Sequence, residues 1–108
     1  MNHKRILYGG ILLDEEKLRT NNIFHNIEVE YYKLTNDKMS LFKGRDNKKT
    51  YGIEVIMREY INGEVKTENE KIEVLTKNEE IVDKVLEVLK NNEVTPTTVK
   101  DVIEDLFN

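Results

Sequence analysis

The chain has 108 residues, enough for one domain but too few for two, because each half would bury too little surface to be stable. Hydrophobic residues make up 38% and charged residues 35%, which supports a folded core and argues against a disordered chain. The net charge of −4 opposes the basic balance of most nucleic-acid binders, and the absence of cysteine excludes disulfides, thiolate metal sites and thiol catalysis.

Residues 1–22 begin with basic residues followed by an apolar run, Ile6–Leu13. That order resembles a short signal peptide, but the acids Asp14–Glu16 stand where a small-residue cleavage site is needed. We expect a strand over Arg5–Leu13 with a bulge or weak point at Gly9-Gly10, or else a helix or a partly flexible segment. Since no apolar run reaches about 18 residues, we expect no membrane contact and a cytoplasmic protein.

A second strand is predicted over Ile23–Leu34, where apolar residues alternate with polar ones. His25 shares a row with the apolar residues, whereas Glu28 and Glu30 fall on the opposite face. A His25–glutamate pair for acid–base catalysis is therefore disfavoured. The sequence contains no nucleophile elbow and no phosphate-binding glycine loop, so we predict no catalytic residue and no cofactor.

Residues 35–50 are polar and rich in lysine, and we expect a loop with a short turn near Met39–Phe42. The candidates for contact with an anion such as phosphate are Lys43, Arg45, Lys48 and Lys49. No aromatic residue interleaves them, and the net charge is negative. We therefore favour a solvated loop over a nucleic-acid contact.

A β-hairpin over residues 51–75 is the clearest local pattern, because Asn62-Gly63 is typical of a two-residue type I′ turn. The turn implies a register that pairs apolar with apolar residues and acids with lysines: Ile53–Ile72, Tyr51–Val74, Tyr60–Val65, Glu54–Lys71 and Glu59–Lys66. The face expected to be buried contains Tyr51, Ile53, Val55, Met57, Ile72 and Val74.

Two amphipathic helices are predicted at the C-terminal end, over residues 79–91 and 96–107. Asn78 is the expected N-cap of the first, and Thr95 that of the second, with Pro96 at its first helical position. The apolar stripe of the first helix is Ile81, Val82, Val85, Leu86 and Leu89, and that of the second is Val99, Val102, Ile103, Leu106 and Phe107. We expect both stripes to cover the apolar face of the sheet.

The helix pair also resembles the layout of a DNA-binding helix-turn-helix unit. Residues 79–108 carry 3 Lys/Arg and 8 Asp/Glu, however, and the outward face of the second helix includes Asp101, Glu104 and Asp105. These acids would repel phosphate. Carboxylates along the first helix suggest a cation site only if oxygens converge from a tight loop, which the sequence lacks. We predict no metal site.

The second helix is a candidate partner surface through Val99, Ile103, Leu106 and Phe107, with docking of Phe107 into the core as the favoured alternative. An edge of the sheet that recruits a strand is a further route to a protein partner.

Four blocks carry a family resemblance: Tyr31–Leu34, Tyr51–Ile56, the hairpin ending near Ile72, and Glu93–Pro96 leading into Val99–Asp105. Across about residues 23–107 the chain resembles a family of short uncharacterised proteins from clostridia and related low-GC Gram-positive bacteria, a domain of unknown function. The resemblance implies one cytoplasmic bacterial domain and transfers no activity, cofactor or site residue. It agrees with a composition that favours A/T-rich codons, with 13 lysines to 4 arginines and no alanine.

The sequence thus predicts a single α+β domain over residues 1–108. Its mainly antiparallel sheet has three or four strands in the order β-β-β-β-α-α, with both helices packed on one face. The leading function hypothesis is a small non-enzymatic binding or regulatory protein that acts through a protein partner or as a homodimer. The alternative is a nucleic-acid-associated regulator that uses the helix pair or the Lys43–Lys49 loop.

Overall fold

A computed structural model describes residues 2–13, 26–38 and 48–108 of the chain. The strands are β1 (Asn2–Leu12), β2 (Asn26–Lys38), β3 (Lys48–Ile61) and β4 (Glu64–Thr76), and the helices are α1 (Glu79–Asn91) and α2 (Val99–Phe107). The predicted α+β class and the β-β-β-β-α-α order are confirmed.

The four strands form one antiparallel sheet in the order β1-β2-β3-β4. Among the described residues, β1 and β4 are therefore the two edge strands. The sheet extends into the predicted loop, since residues 35–38 belong to β2 and 48–50 to β3. The predicted turn at Met39–Phe42, together with Lys43, Arg45 and His25, lies outside the described residues.

The hairpin turn is as predicted, because Asn62 and Gly63 both have positive φ, at 50° and 80°. Most of the predicted register is confirmed, with the pairs Ile53–Ile72, Glu54–Lys71, Glu59–Lys66 and Tyr60–Val65.

The predicted pair Tyr51–Val74 is wrong, because Tyr51 lies opposite Thr76. Between this pair and Ile53–Ile72, β3 advances by two residues and β4 by four, so β4 bulges. The extra residues break the alternation of faces, and Val74 is 63% exposed instead of buried. A second bulge, between Leu7 and Gly9 of β1, lies where the Gly9-Gly10 pair indicated it.

The core lies between one face of the sheet and the two helices, which confirms that the helices cover the sheet. Its members are Ile27, Val29, Tyr31, Tyr51, Ile53, Val55, Met57, Val82, Val85, Leu86, Leu89, Val94, Val99 and Ile103. Helix α1 contacts all four strands. The opposite sheet face is covered by no described helix, and we call it the open face.

The helix starts differ in how well the sequence predicts them. Asn78 caps α1 as predicted, because its side chain accepts hydrogen bonds from the Glu80 and Ile81 N–H groups. Helix α2 begins at Val99, not at Pro96, so the predicted Thr95 cap is wrong. The reason is an intervening turn in which the Thr95 carbonyl accepts from the N–H groups of Thr98 and Val99, and Pro96 is buried.

Candidate interaction surface

The outer strand β1 exposes an apolar segment, Ile6–Leu12, which we call the β1 edge. Leu7 is 53% and Leu12 65% exposed, and Ile6 and Tyr8 are exposed as well. The segment contains no charged residue. An edge strand presents backbone N–H and C=O groups that a further strand can pair with. Among the described residues, no strand pairs with the outer side of the β1 edge, which therefore combines available backbone groups with apolar side chains.

The other edge of the sheet, β4, is built differently. Six of its 13 residues are charged: Glu64, Lys66, Glu68, Glu70, Lys71 and Glu73. Both edge strands bulge, β4 near Val74 and β1 between Leu7 and Gly9, so the charges and not the bulges distinguish the two edges. Charged side chains on an edge strand are a usual means by which proteins prevent unwanted strand pairing. One edge of the sheet is therefore protected and the other is apolar.

Arg5 marks the polar end of the β1 edge and is held by two contacts on the open face. Its Nη1 atom lies 3.1 Å from Oε1 of the buried Glu54, and its guanidinium carbon lies 4.5 Å from the centroid of the Tyr32 ring. The second oxygen of Glu54 accepts from the Asn69 amide at 3.1 Å. Arg5 thus holds a fixed position while its side chain remains half exposed.

Farther along the open face, two glutamates of β2 bind side chains of β3. Arg58 pairs with Glu30, and this hydrogen bond raises the pKa of the guanidinium. The Tyr60 hydroxyl donates to Glu28 at 3.1 Å, which raises the pKa of Tyr60. The contact with Glu30 stabilises the charged form of Arg58, and the contact with Glu28 stabilises the protonated hydroxyl of Tyr60. Together the two pairs make this part of the open face an ordered polar surface.

A shallow depression of about 280 Å³ lies between β1 and the β4 bulge on the open face. Its lining is Lys4, Arg5, Leu34, Asn36, Glu54, Lys71 and Glu73. The Asn36 amide donates to the Glu73 carbonyl at 2.8 Å and so holds the bulged backbone in place. Because both signs of charge line the depression, it is not organised for one class of ion.

On the helix side, Lys33 lies between two acids of α1. Its Nζ atom is 2.7 Å from Glu79 Oε2 and 2.9 Å from Asp83 Oδ1. Partial burial opposes its charge, but the two hydrogen bonds outweigh that effect and raise its pKa. Two carboxylates of the first helix thus bind a lysine. In the described part of the chain, no group of three His, Asp or Glu side chains is placed to hold a metal ion.

The residues of the predicted partner surface on α2 do not form one surface. Val99 and Ile103 are buried in the core. Leu106 is 44% and Phe107 48% exposed, so the expected docking of Phe107 into the core is not observed. Only Leu106 and Phe107 are accessible to a partner.

Of the predicted anion-contact residues, the structure describes Lys48 and Lys49. Lys49 lies in β3 with its Nζ 3.9 Å from Asp37 Oδ1, and Lys48 begins the same strand. The lysine on the outward face of α2, Lys100, pairs with Glu70 at 2.9 Å. The lysines that a phosphate contact would use are therefore partly engaged by acids.

Sequence reasoning considered a sheet edge in general but did not identify the β1 edge. The signal was present, since residues 6–13 are uncharged while six of the ten residues 64–73 are charged. Edge position depends on strand order, however, and that order is a property of the whole fold.

Comparison with known proteins gives a match to a protein family. A model described as a family of unknown function (DUF6514) matches residues 13–108. No curated protein and no solved structure matched the chain. Neither described helix is long and apolar enough to cross a membrane.

Proposed function

The chain belongs to the DUF6514 family of unknown function, and we propose that it is a non-enzymatic binding protein that takes up an added β-strand at the β1 edge. The observation that carries this proposal is the contrast between the apolar β1 edge and the charged β4 edge. A sheet that only needed to remain monomeric would be expected to protect both edges.

Strand addition explains the exposed side chains of β1 as well as its outer backbone groups, which pair with no described strand. In this mode, main-chain hydrogen bonds provide affinity and alternate side chains provide specificity. Leu7 and Leu12 are exposed and would pack against the apolar side chains that an incoming strand places on the same face of the sheet. Burying them would remove exposed apolar surface from water, which favours association.

Arg5 supports a defined orientation for that strand. Because Glu54 and the Tyr32 ring hold its guanidinium, Arg5 loses little freedom when a partner binds. We expect an incoming segment with an apolar centre and polar ends.

The alternative of a nucleic-acid-associated regulator has weaker support. Lys100 and Lys49 lie beside acids, and the outward face of α2 is acidic. A protein partner is therefore better supported than a nucleic acid. The composition, rich in residues with A/T-rich codons, supports our further proposal of a cytoplasmic protein of a low-GC Gram-positive bacterium without catalytic activity.

The test is affinity capture from such a bacterium with three matched baits: the unmodified chain, Leu7→Glu and Val65→Glu. Leu7 and Val65 are 53% and 54% exposed, so the two changes place the same charge at equally exposed positions on opposite edges. We expect a partner that is retained by Val65→Glu and lost from Leu7→Glu, quantified by mass spectrometry. Equal capture by both variants would contradict strand addition at β1.

A further inference from the structure

We infer that the strand added at the β1 edge is β1 of a second copy of this chain, which creates a two-fold symmetric dimer with a continuous antiparallel sheet of eight strands. This inference rests on the proposed function and specifies its partner. A two-fold interface uses the same patch on both subunits, so the patch must be complementary to itself.

The β1 edge meets this requirement through its sequence. Two apolar triplets, Ile6–Tyr8 and Ile11–Leu13, flank Gly9-Gly10. When two such strands run antiparallel about an axis near the glycines, the first triplet of one copy lies beside the second triplet of the other. Apolar side chains then meet apolar side chains along the whole seam, the arrangement that stabilises cross-strand pairs.

The charges of β1 are compatible with the same arrangement. Lys4 and Arg5 both precede the uncharged segment, so in an antiparallel dimer the two basic ends lie at opposite ends of the seam. At a rise of about 3.4 Å per residue, they are separated by about 30 Å. No like charges face each other within the seam. The same pairing of β4 with itself would bring several charged residues into the seam.

The size of the seam indicates a reversible dimer. A single pair of strands buries less than the roughly 1,200 Å² that is the lower bound for standard stable interfaces. We therefore expect a weak dimer with a dissociation constant in the micromolar range, so that dimerisation depends on protein concentration.

Sedimentation velocity over about 1 to 300 μM tests the inference with the full chain, a range chosen to bracket that constant. We expect a monomer–dimer equilibrium for the unmodified protein and for Val65→Glu, and at least a tenfold weaker dimer for Leu7→Glu. A far-UV circular dichroism spectrum shows whether each variant is folded. An unmodified chain that stays monomeric over the whole range would overturn the inference, as would equal dimers from all three proteins.

The absence of cysteine allows a second test of the geometry. In the double variant Leu7→Cys/Leu12→Cys, the thiol at position 7 of one copy lies opposite the thiol at position 12 of the other, so mild oxidation should yield a covalent dimer. The double variant Val65→Cys/Val74→Cys, at two exposed positions of β4, is the control and should crosslink at least tenfold more slowly. Equal crosslinking rates would contradict pairing at β1.

The two levels of the proposal fail in different ways. If the protein is monomeric but Leu7→Glu still loses a captured partner that Val65→Glu retains, the second copy is the wrong occupant and strand addition stands. If Leu7→Glu changes neither self-association nor capture, strand addition at β1 is itself wrong.

Discussion

Tyr31 joins the sheet to the segment between the helices through one buried hydrogen bond. Its hydroxyl donates to the Val94 carbonyl at 2.8 Å, and its ring is fully buried. In Tyr31→Phe this buried carbonyl loses its donor, so we expect the free energy of unfolding to fall by about 1–2 kcal/mol in urea titrations. Tyr60→Phe removes an exposed hydrogen bond to Glu28 and is the control, with a much smaller expected loss.

Tyr31→Phe should also change how steeply the free energy of unfolding falls at alkaline pH. Burial, and secondarily the charge of Glu93, raises the pKa of Tyr31 well above its ordinary value of 10.0. A group whose pKa is higher in the folded state contributes stability below its unfolded pKa and loses it as the pH rises. Stability should therefore fall above about pH 10, and Tyr31→Phe should show a shallower decline. Identical slopes for both proteins would show that Tyr31 does not cause the decline.

Gly52 is required by the bulge of β4. A Cβ atom at this position would overlap the carbonyl oxygens of Ile72 and Glu73, which belong to the backbone and cannot move aside cheaply. We expect Gly52→Ala to lower the free energy of unfolding by about 3 kcal/mol in urea titrations. Gly9→Ala is a suitable control, because its Cβ would meet only the flexible end of the Lys90 side chain. A Gly52→Ala protein as stable as Gly9→Ala would refute the bulge geometry.

The two helices differ in how they begin, and this difference predicts unequal effects of cap mutations. Asn78 accepts hydrogen bonds from two backbone N–H groups of α1, whereas the side chain of Thr98 makes no capping bond to α2. Asn78→Ala should therefore cost about 1 kcal/mol of stability, and Thr98→Ala distinctly less, in thermal or urea unfolding. If Thr98→Ala costs as much, α2 depends on a cap that the structure does not contain.

Elements with local determinants were predicted from the sequence. The register of the β3–β4 hairpin follows from Asn62-Gly63, because a two-residue turn sets which residues face each other. The bounds of α1 follow from Asn78 and the apolar stripe. In both cases the residues responsible lie within the hairpin or the helix, or directly beside it in the sequence.

Elements that depend on distant contacts were predicted less well. The alternation of Ile72 and Val74 gives no hint of the bulge, whose signature is a glycine in the neighbouring strand, Gly52. The start of α2 shifts because a turn follows Thr95. The candidate surface escaped prediction for the same reason, since the exposure of Leu7 depends on which strand lies at the edge.

At the scale of the whole molecule, the sheet is asymmetric in two directions. One face packs against helices and the other carries an ordered polar network, while one edge is charged and the other apolar. The proposed dimer would remove the apolar edge and leave the charged β4 edges at both ends of the enlarged sheet. Such an assembly would have no unprotected edge among its described strands.

Helix α1 is the element that connects this sheet into one unit, because it contacts all four strands. Leu86 lies on α1 and is fully buried, so Leu86→Ala should lower the free energy of unfolding by about 3 kcal/mol. If the chain is a single domain, helix content and tyrosine fluorescence should shift together to lower urea concentrations. Leu106→Ala is the matched control at a 44% exposed position of α2 and should cost far less. Separate transitions for the two signals would contradict a single cooperative unit and would mean that the sheet is stable without the helix that covers it.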